Sequence, residues 1–177
     1  KGMLSLSAGL RAGTVTNEGE LTLDEVTVAD LTNSATLKAN GSTLTKLVNE
    51  QEAELTASTV EDLTNMGKMT AKDLTLKGAL KGTGTATLSG KLVADDIFKS
   101  ENKIISDDME VSENVKKMEL ADLEIKEGTT LDIGTREVTA KEVSVGDEAT
   151  LQVTLNDLEE HGTMKADKIE AGAGAGV

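Results

Sequence analysis

The chain has 177 residues, a net charge of −14, 37% apolar and 1% aromatic side chains, and neither cysteine nor proline. The charge counts against nucleic acid and anionic lipid as partners, because both call for basic patches. The missing cysteines exclude a disulfide scaffold, a thiol nucleophile and a cysteine metal site, and the missing prolines suit a chain made mostly of paired strand.

Position 1 is Lys, followed by no signal-type pattern of basic start and apolar run. No stretch reaches the roughly 18 apolar residues of a membrane span. The segment is therefore expected neither to insert in a membrane nor to carry its own export signal, and it reads as part of a longer chain.

From Val15 the sequence repeats. "VTNEGELTLDEVTVAD", "LTNSATLKANGSTLTK", "LVNEQEAELTASTVED" and "LTNMGKMTAKDLTLKG" begin at Val15, Leu31, Leu47 and Leu63, one every 16 residues. A fixed internal period decides the fold before any local reading does. Inside each line the apolar residues follow Φ-x-Φ-x-x-Φ-x-Φ, as in Leu21/Leu23/Val26/Val28 and Met69/Ala71/Leu74/Leu76. Period two within a pair predicts a short strand with one buried face. The two residues between pairs predict a corner, giving two short strands and two corners per line.

Such a line cannot pack alone. Stacking it on the next buries the apolar column and pairs the backbone. The expected fold is all-β, a single-stranded parallel β-helix (β-solenoid) with about nine or ten coils. A Glu-rich helix over 47–69 is the competing reading, and the extended, Thr-rich flanking lines count against it.

Two columns test the register. Asn17, Asn33, Asn49 and Asn65 share one offset and are expected to bond along the axis, as stacked amides do. Thr27, Thr43, Thr59 and Thr75 share another and are expected to face out. Ser42 and Ser58 occupy an otherwise apolar column and point to a narrow place. The rank beside the threonines, Ala29, Thr45, Glu61 and Lys77, is too mixed for a flat ice-binding face.

The expected organisation is one solenoid over 1–177. It has regular coils over 1–94, an irregular stretch over 95–117, longer coils over 118–171, and a linker or cut end over 172–177. The template returns as Ile104/Ser106/Met109/Val111, Met118/Leu120/Leu123/Ile125, Val138/Ala140/Val143/Val145 and Met164/Ala166/Ile169/Ala171. "TTLDI" (129–133) and "ATLQVTL" (149–155) read as strands of a third side.

Sites of chemistry are sought and none is assigned: no catalytic, cofactor-binding or metal residues. "GTGTATLSGKL" (82–92) lacks phosphate-loop spacing, since Ser89 stands where glycine belongs and Leu92 follows Lys91. His161 beside Asp157, Glu159 and Glu160 obeys no ligand-spacing rule and reads as a solvated acidic loop. Asp95-Asp96 and Asp107-Asp108 are acidic pairs at expected corners. With 32 acidic residues such pairs arise by chance, so a glycosidase pair is not inferred. The near absence of aromatic rings also disfavours a lectin or a polysaccharide lyase. The chain is expected not to be an enzyme.

"LTNMGKMTAKDLTLKG" and "ALKGTGTATLSG" resemble the passenger repeats of Gram-negative autotransporters and related surface adhesins. The resemblance is close over 15–94 and looser over 118–171. It implies a right-handed parallel β-helix, export through the outer membrane and a non-catalytic rod at the cell surface that serves adhesion or display. Its partners would be the rest of its own chain and surface molecules of host or neighbouring cells. The 16-residue coil is shorter than that family's usual turn. Bactofilins, cytoskeletal polymers of short coils with few aromatics, offer an alternative reading; a β-helical carbohydrate-active enzyme is a third.

Overall fold

The computed structural model describes residues 2–155 and 161–176. Among the described residues there is no helix, and parallel strands stack in about nine turns of a β-solenoid. The 16-residue step appears in the register. Leu31 lies on Leu47 and Leu47 on Leu63, Leu21 on Leu37, and Val28 on Leu44.

Each turn has three sides, not two. Side A carries inward Leu31 and Asn33, side B Leu37 and Ala39, side C Ser42 and Leu44, all buried. Two exposed residues separate sides A and C, such as Ala29-Asp30 and Thr45-Lys46. The apolar template detects sides B and C. It passes over side A because the second inward residue there is Asn, which no apolar pattern counts.

The corner between sides B and C is left-handed in every turn. Positive φ occurs at Gly9, Glu25, Gly41, Ala57, Asp73, Gly90, Asp108, Gly128, Glu148 and Gly174, between +47° and +83°. An L-residue there is strained by its Cβ, by about 1–2 kcal/mol. Five of the ten positions are glycine, four are Asp or Glu, and one is Ala57, the non-glycine residues being tolerated because stacked neighbouring coils fix the backbone.

The later turns lengthen. Met118 lies on Val138, and Val138 on Met164, 26 residues on. The side assignment changes with length. Leu123 and Ile125 continue the side B column, through Ile104 and Ser106 back to Ala86 and Leu88. Met118/Leu120 and Val138/Ala140 therefore belong to side A, whereas their early template counterparts Leu21/Leu23 belong to side B. Any two-residue corner between inward pairs satisfies the template, so it matches at whichever corner is tightest. The strands Thr130–Gly134 and Thr150–Val153 do form side C, in parallel register.

Two stretches differ from expectation. Ile97–Val111 is continuously strand-paired around the turn, through the left-handed Asp108, with largely alternating burial rather than an irregular segment. Its inward residues include Ser100, Asn102 and Ser106, which hide it from an apolar pattern. Gly172–Gly176 is hydrogen-bonded into the last turn: Gly172 N–H donates to the Val145 carbonyl, and Gly176 N–H to the Ala149 carbonyl. Alternating Ala and Gly suits that corner, since Gly174 takes the left-handed place and Ala175 packs inward.

Candidate functional site

The most ordered polar feature is internal. Asn17 Nδ2 donates to Asn33 Oδ1, Asn33 Nδ2 to Asn49 Oδ1 and Asn49 Nδ2 to Asn65 Oδ1, each at 2.7 Å. Asn33, Asn49 and Asn65 are fully buried. Each amide also donates to a backbone carbonyl of the next coil or its own corner, such as Asn33 to Glu52 O at 2.8 Å. A buried amide needs such full pairing to avoid a desolvation penalty. The ladder has a direction, with donors facing the later coils.

At Asn65 the ladder skips a turn. Asn65 Nδ2 donates to Asn102 Oδ1 at 2.6 Å. Between them runs Gly82-Thr83-Gly84. A Cβ on Gly82 would lie 2.4 Å from Asn65 O, and one on Gly84 2.7 Å from Asn65 Nδ2. So "GTGT" makes room for an amide bridge, a structural role for a stretch whose spacing already spoke against a phosphate loop. Asn102 Nδ2 closes the series on the carbonyls of Lys81 and Gly82, at 2.9 and 2.7 Å. The sequence period does not reach Asn102, because the turn lengths change before it.

Ser42 and Ser58 are also structural. Ser42 Oγ accepts from Val26 N–H and donates to the Asn40 carbonyl, and Ser58 Oγ accepts from Ser42 N–H. Arg136 has no signal in the sequence. Its guanidinium donates to the carbonyls of Val111, Ser112, Val115 and Ile133 at 2.8–3.1 Å and pins a corner.

The acidic pairs sit at corners, as expected. Asp95 Oδ2 accepts from Gly78 N–H at 3.2 Å and Asp108 Oδ1 from Thr130 N–H at 3.1 Å. Both aspartates bind backbone of the adjacent turn, which is work for a cap. Thr27, Thr43, Thr59 and Thr75 stack in register with half-buried side chains. His161 is exposed and bridges Leu155; Asp157, Glu159 and Glu160 lie outside the described residues. Among the described residues no group of three His, Asp or Glu is placed to hold a metal ion.

Outward charges pair between coils from Glu61 onward. Lys77–Glu61 and Lys81–Asp62 are 2.8 Å apart, and Lys168 binds Glu142 of the preceding coil at 2.8 Å and also Glu170 on its own strand at 2.6 Å. The hydrogen bond from Lys99 holds the Glu119 carboxyl below its ordinary range, and that from Lys168 does the same for Glu142. The bond to Glu61 raises Lys77, and the bond to Asp107 raises Lys126. All are solvent-exposed, so each pair contributes little to stability.

An open groove of about 740 Å³ lies on side A. Its floor is Ser100, Leu120 and Ala140, and its rim includes Lys99, Glu119 and Lys141. It holds no histidine and no aromatic platform. No known protein family, curated protein or solved structure matches the chain.

Proposed function

We propose that the chain is a non-catalytic rod of a surface-displayed bacterial protein of autotransporter-passenger type, serving adhesion or the display of attached material. The single observation behind this reading is the unbroken stack. About nine turns at roughly 4.8 Å give a rod of about 45 Å whose inward positions are mostly apolar side chains, with buried Asn and Ser among them. Such a stack is stabilised coil by coil and projects whatever adjoins it. The absence of cysteine suits export in an unfolded state, and the net negative charge keeps copies soluble and mutually repelling. The acidic pairs capping backbone amides favour a structural over a catalytic reading.

The test is protease shaving of intact cells that make the protein, with released peptides identified by mass spectrometry. Peptides such as "DLTLKGALK" released before lysis support display. Their appearance only after lysis contradicts it and turns attention to cytoplasmic filaments.

A further inference from the structure

The left-handed corner between sides B and C carries one reactive pair. Gly41, φ +56°, fills the left-handed place there, and the outward residue before it is Asn40. Both are exposed. No other asparagine of the chain is followed by glycine. A glycine nitrogen has no side chain beside it to block approach, and asparagine amides are thermolabile. The Gly41 N–H donates to the Thr56 carbonyl at 2.9 Å, so one exposed hydrogen bond stands between this nitrogen and the Asn40 amide.

The other asparagines are placed differently. Asn17, Asn33, Asn49, Asn65 and Asn102 are buried, and each Nδ2 donates to at least two acceptors. Asn114 is exposed, but the β-branched, buried Val115 follows it. Asn40 Nδ2 instead donates to Asp24 Oδ1 at 2.8 Å on the surface.

We propose that Asn40-Gly41 is a site of spontaneous deamidation in the folded rod, reached by opening of that single corner hydrogen bond. The Gly41 nitrogen attacks Asn40 Cγ and closes a succinimide ring. The Cγ–Nδ2 bond breaks, and ammonia leaves with the proton from the Gly41 nitrogen. Water then opens the ring. Addition at Cγ gives aspartate, and addition at the former peptide carbonyl gives isoaspartate, with the main chain rerouted through Cβ and Cγ. Either product changes the stack. Asn40 lies in register with Asp24, so an acid there sets two carboxylates face to face. Isoaspartate does more. The Asn40 carbonyl accepts from Glu25 N–H at 2.9 Å and from Ser42 Oγ at 3.0 Å. In the rerouted chain that carbonyl leaves the ladder as a free carboxylate, and a methylene enters the corner. The site goes beyond the display reading and does not depend on where the rod is located.

The test incubates the 177-residue chain, its Gly41→Ala variant and the peptide KANGSTL, residues 38–44, at mildly alkaline pH. Alanine already stands at the equivalent corner as Ala57, so the variant keeps the fold. Mass spectrometry with electron-transfer fragmentation locates each conversion and separates isoaspartate from aspartate. The expected result is conversion at Asn40 with isoaspartate among the products, slower than in the peptide by about tenfold for the one bond to be freed. Asn33 and Asn114 should stay amides over the same period, and Gly41→Ala should suppress the reaction. Backbone amide exchange should quicken at Glu25 and Gly41 in the converted fraction. An Asn40 that stays an amide while the peptide converts would overturn the proposal. So would conversion of Asn33 at a similar rate, since that buried residue reacts only in an unfolded chain.

Discussion

Asn65 and Asn102 are 37 residues apart and share a 2.6 Å amide hydrogen bond across a glycine-bearing turn. This bond joins the 16-residue coils to the longer ones. Asn102→Leu removes the acceptor for Asn65 and the donor for the Lys81 and Gly82 carbonyls, all buried or partly buried. The expected loss is about 2–4 kcal/mol, measured by urea unfolding. Gly84→Ala should be costly as well, since its Cβ would meet Gly67 O at 2.4 Å. A melting curve unchanged in both variants would remove the bridge from the account.

The inward columns are expected to tolerate no charge. Leu74 is 2% exposed on side C. Leu74→Asp buries a carboxylate with no partner and should cost more than about 4 kcal/mol or unzip the adjoining coils. Hydrogen exchange locates the damage. A variant melting with the parent would place Leu74 outside the stack.

The period, the corners and the Asn column were all legible in the sequence, and for one reason. Stacking forces residue i and residue i+16 into the same environment, so the fold is printed along the chain as an offset. Legibility ended where that rule stopped applying. Asn33 and its equivalents hid side A, because burial was satisfied by hydrogen bonds and not by apolar area. Met118/Leu120 matched the template on the wrong side, because the template encodes a corner and not a position on the triangle. Asn102 and Arg136 were invisible, since their partners are backbone carbonyls at separations that no period marks.

The left-handed corner offers a stabilising change. Ala57 has φ +47°. Ala57→Gly relieves the Cβ strain and adds unfolded-chain entropy, a net gain of about 0.5–1 kcal/mol. Gly41→Val at the same corner, φ +56°, should lose more than that gain. Thermal unfolding of the two variants in opposite directions is the check.

Ser106 is buried, and its Oγ has no hydrogen-bond partner among the described residues. It occupies the side B column between Leu88 and Ile125. Ser106→Ala removes the unpaired hydroxyl and should stabilise the rod by about 1 kcal/mol. A loss of that size in urea unfolding would show that the hydroxyl has a partner in solution.

Acid should expose the outer ion pairs. Glu119 and Glu142 have lowered pKa values in the folded chain, set chiefly by Lys99 and Lys168. A depressed carboxyl stabilises above its unfolded pKa and loses that contribution as pH falls through the folded value. Stability should therefore decline below the ordinary carboxylate range, and the decline should shrink in the Lys99→Ala/Lys168→Ala double variant. The effect is small because the groups are exposed. An acid limb identical in parent and variant would assign no role to these pairs.

The most direct measurement of the stack is a series of spin-label distances on side B. Thr22 lies in one outward column with Lys38, Glu54, Thr70, Thr87, Ile105 and Glu124. The chain has no native cysteine, so pairs can be placed cleanly at Thr22 with Thr87, Ile105 or Glu124. One coil per step of about 4.8 Å gives distances of roughly 19, 24 and 29 Å. A linear rise of that slope is the expected result. Distances that stay level or scatter between pairs would contradict a parallel stack in this register.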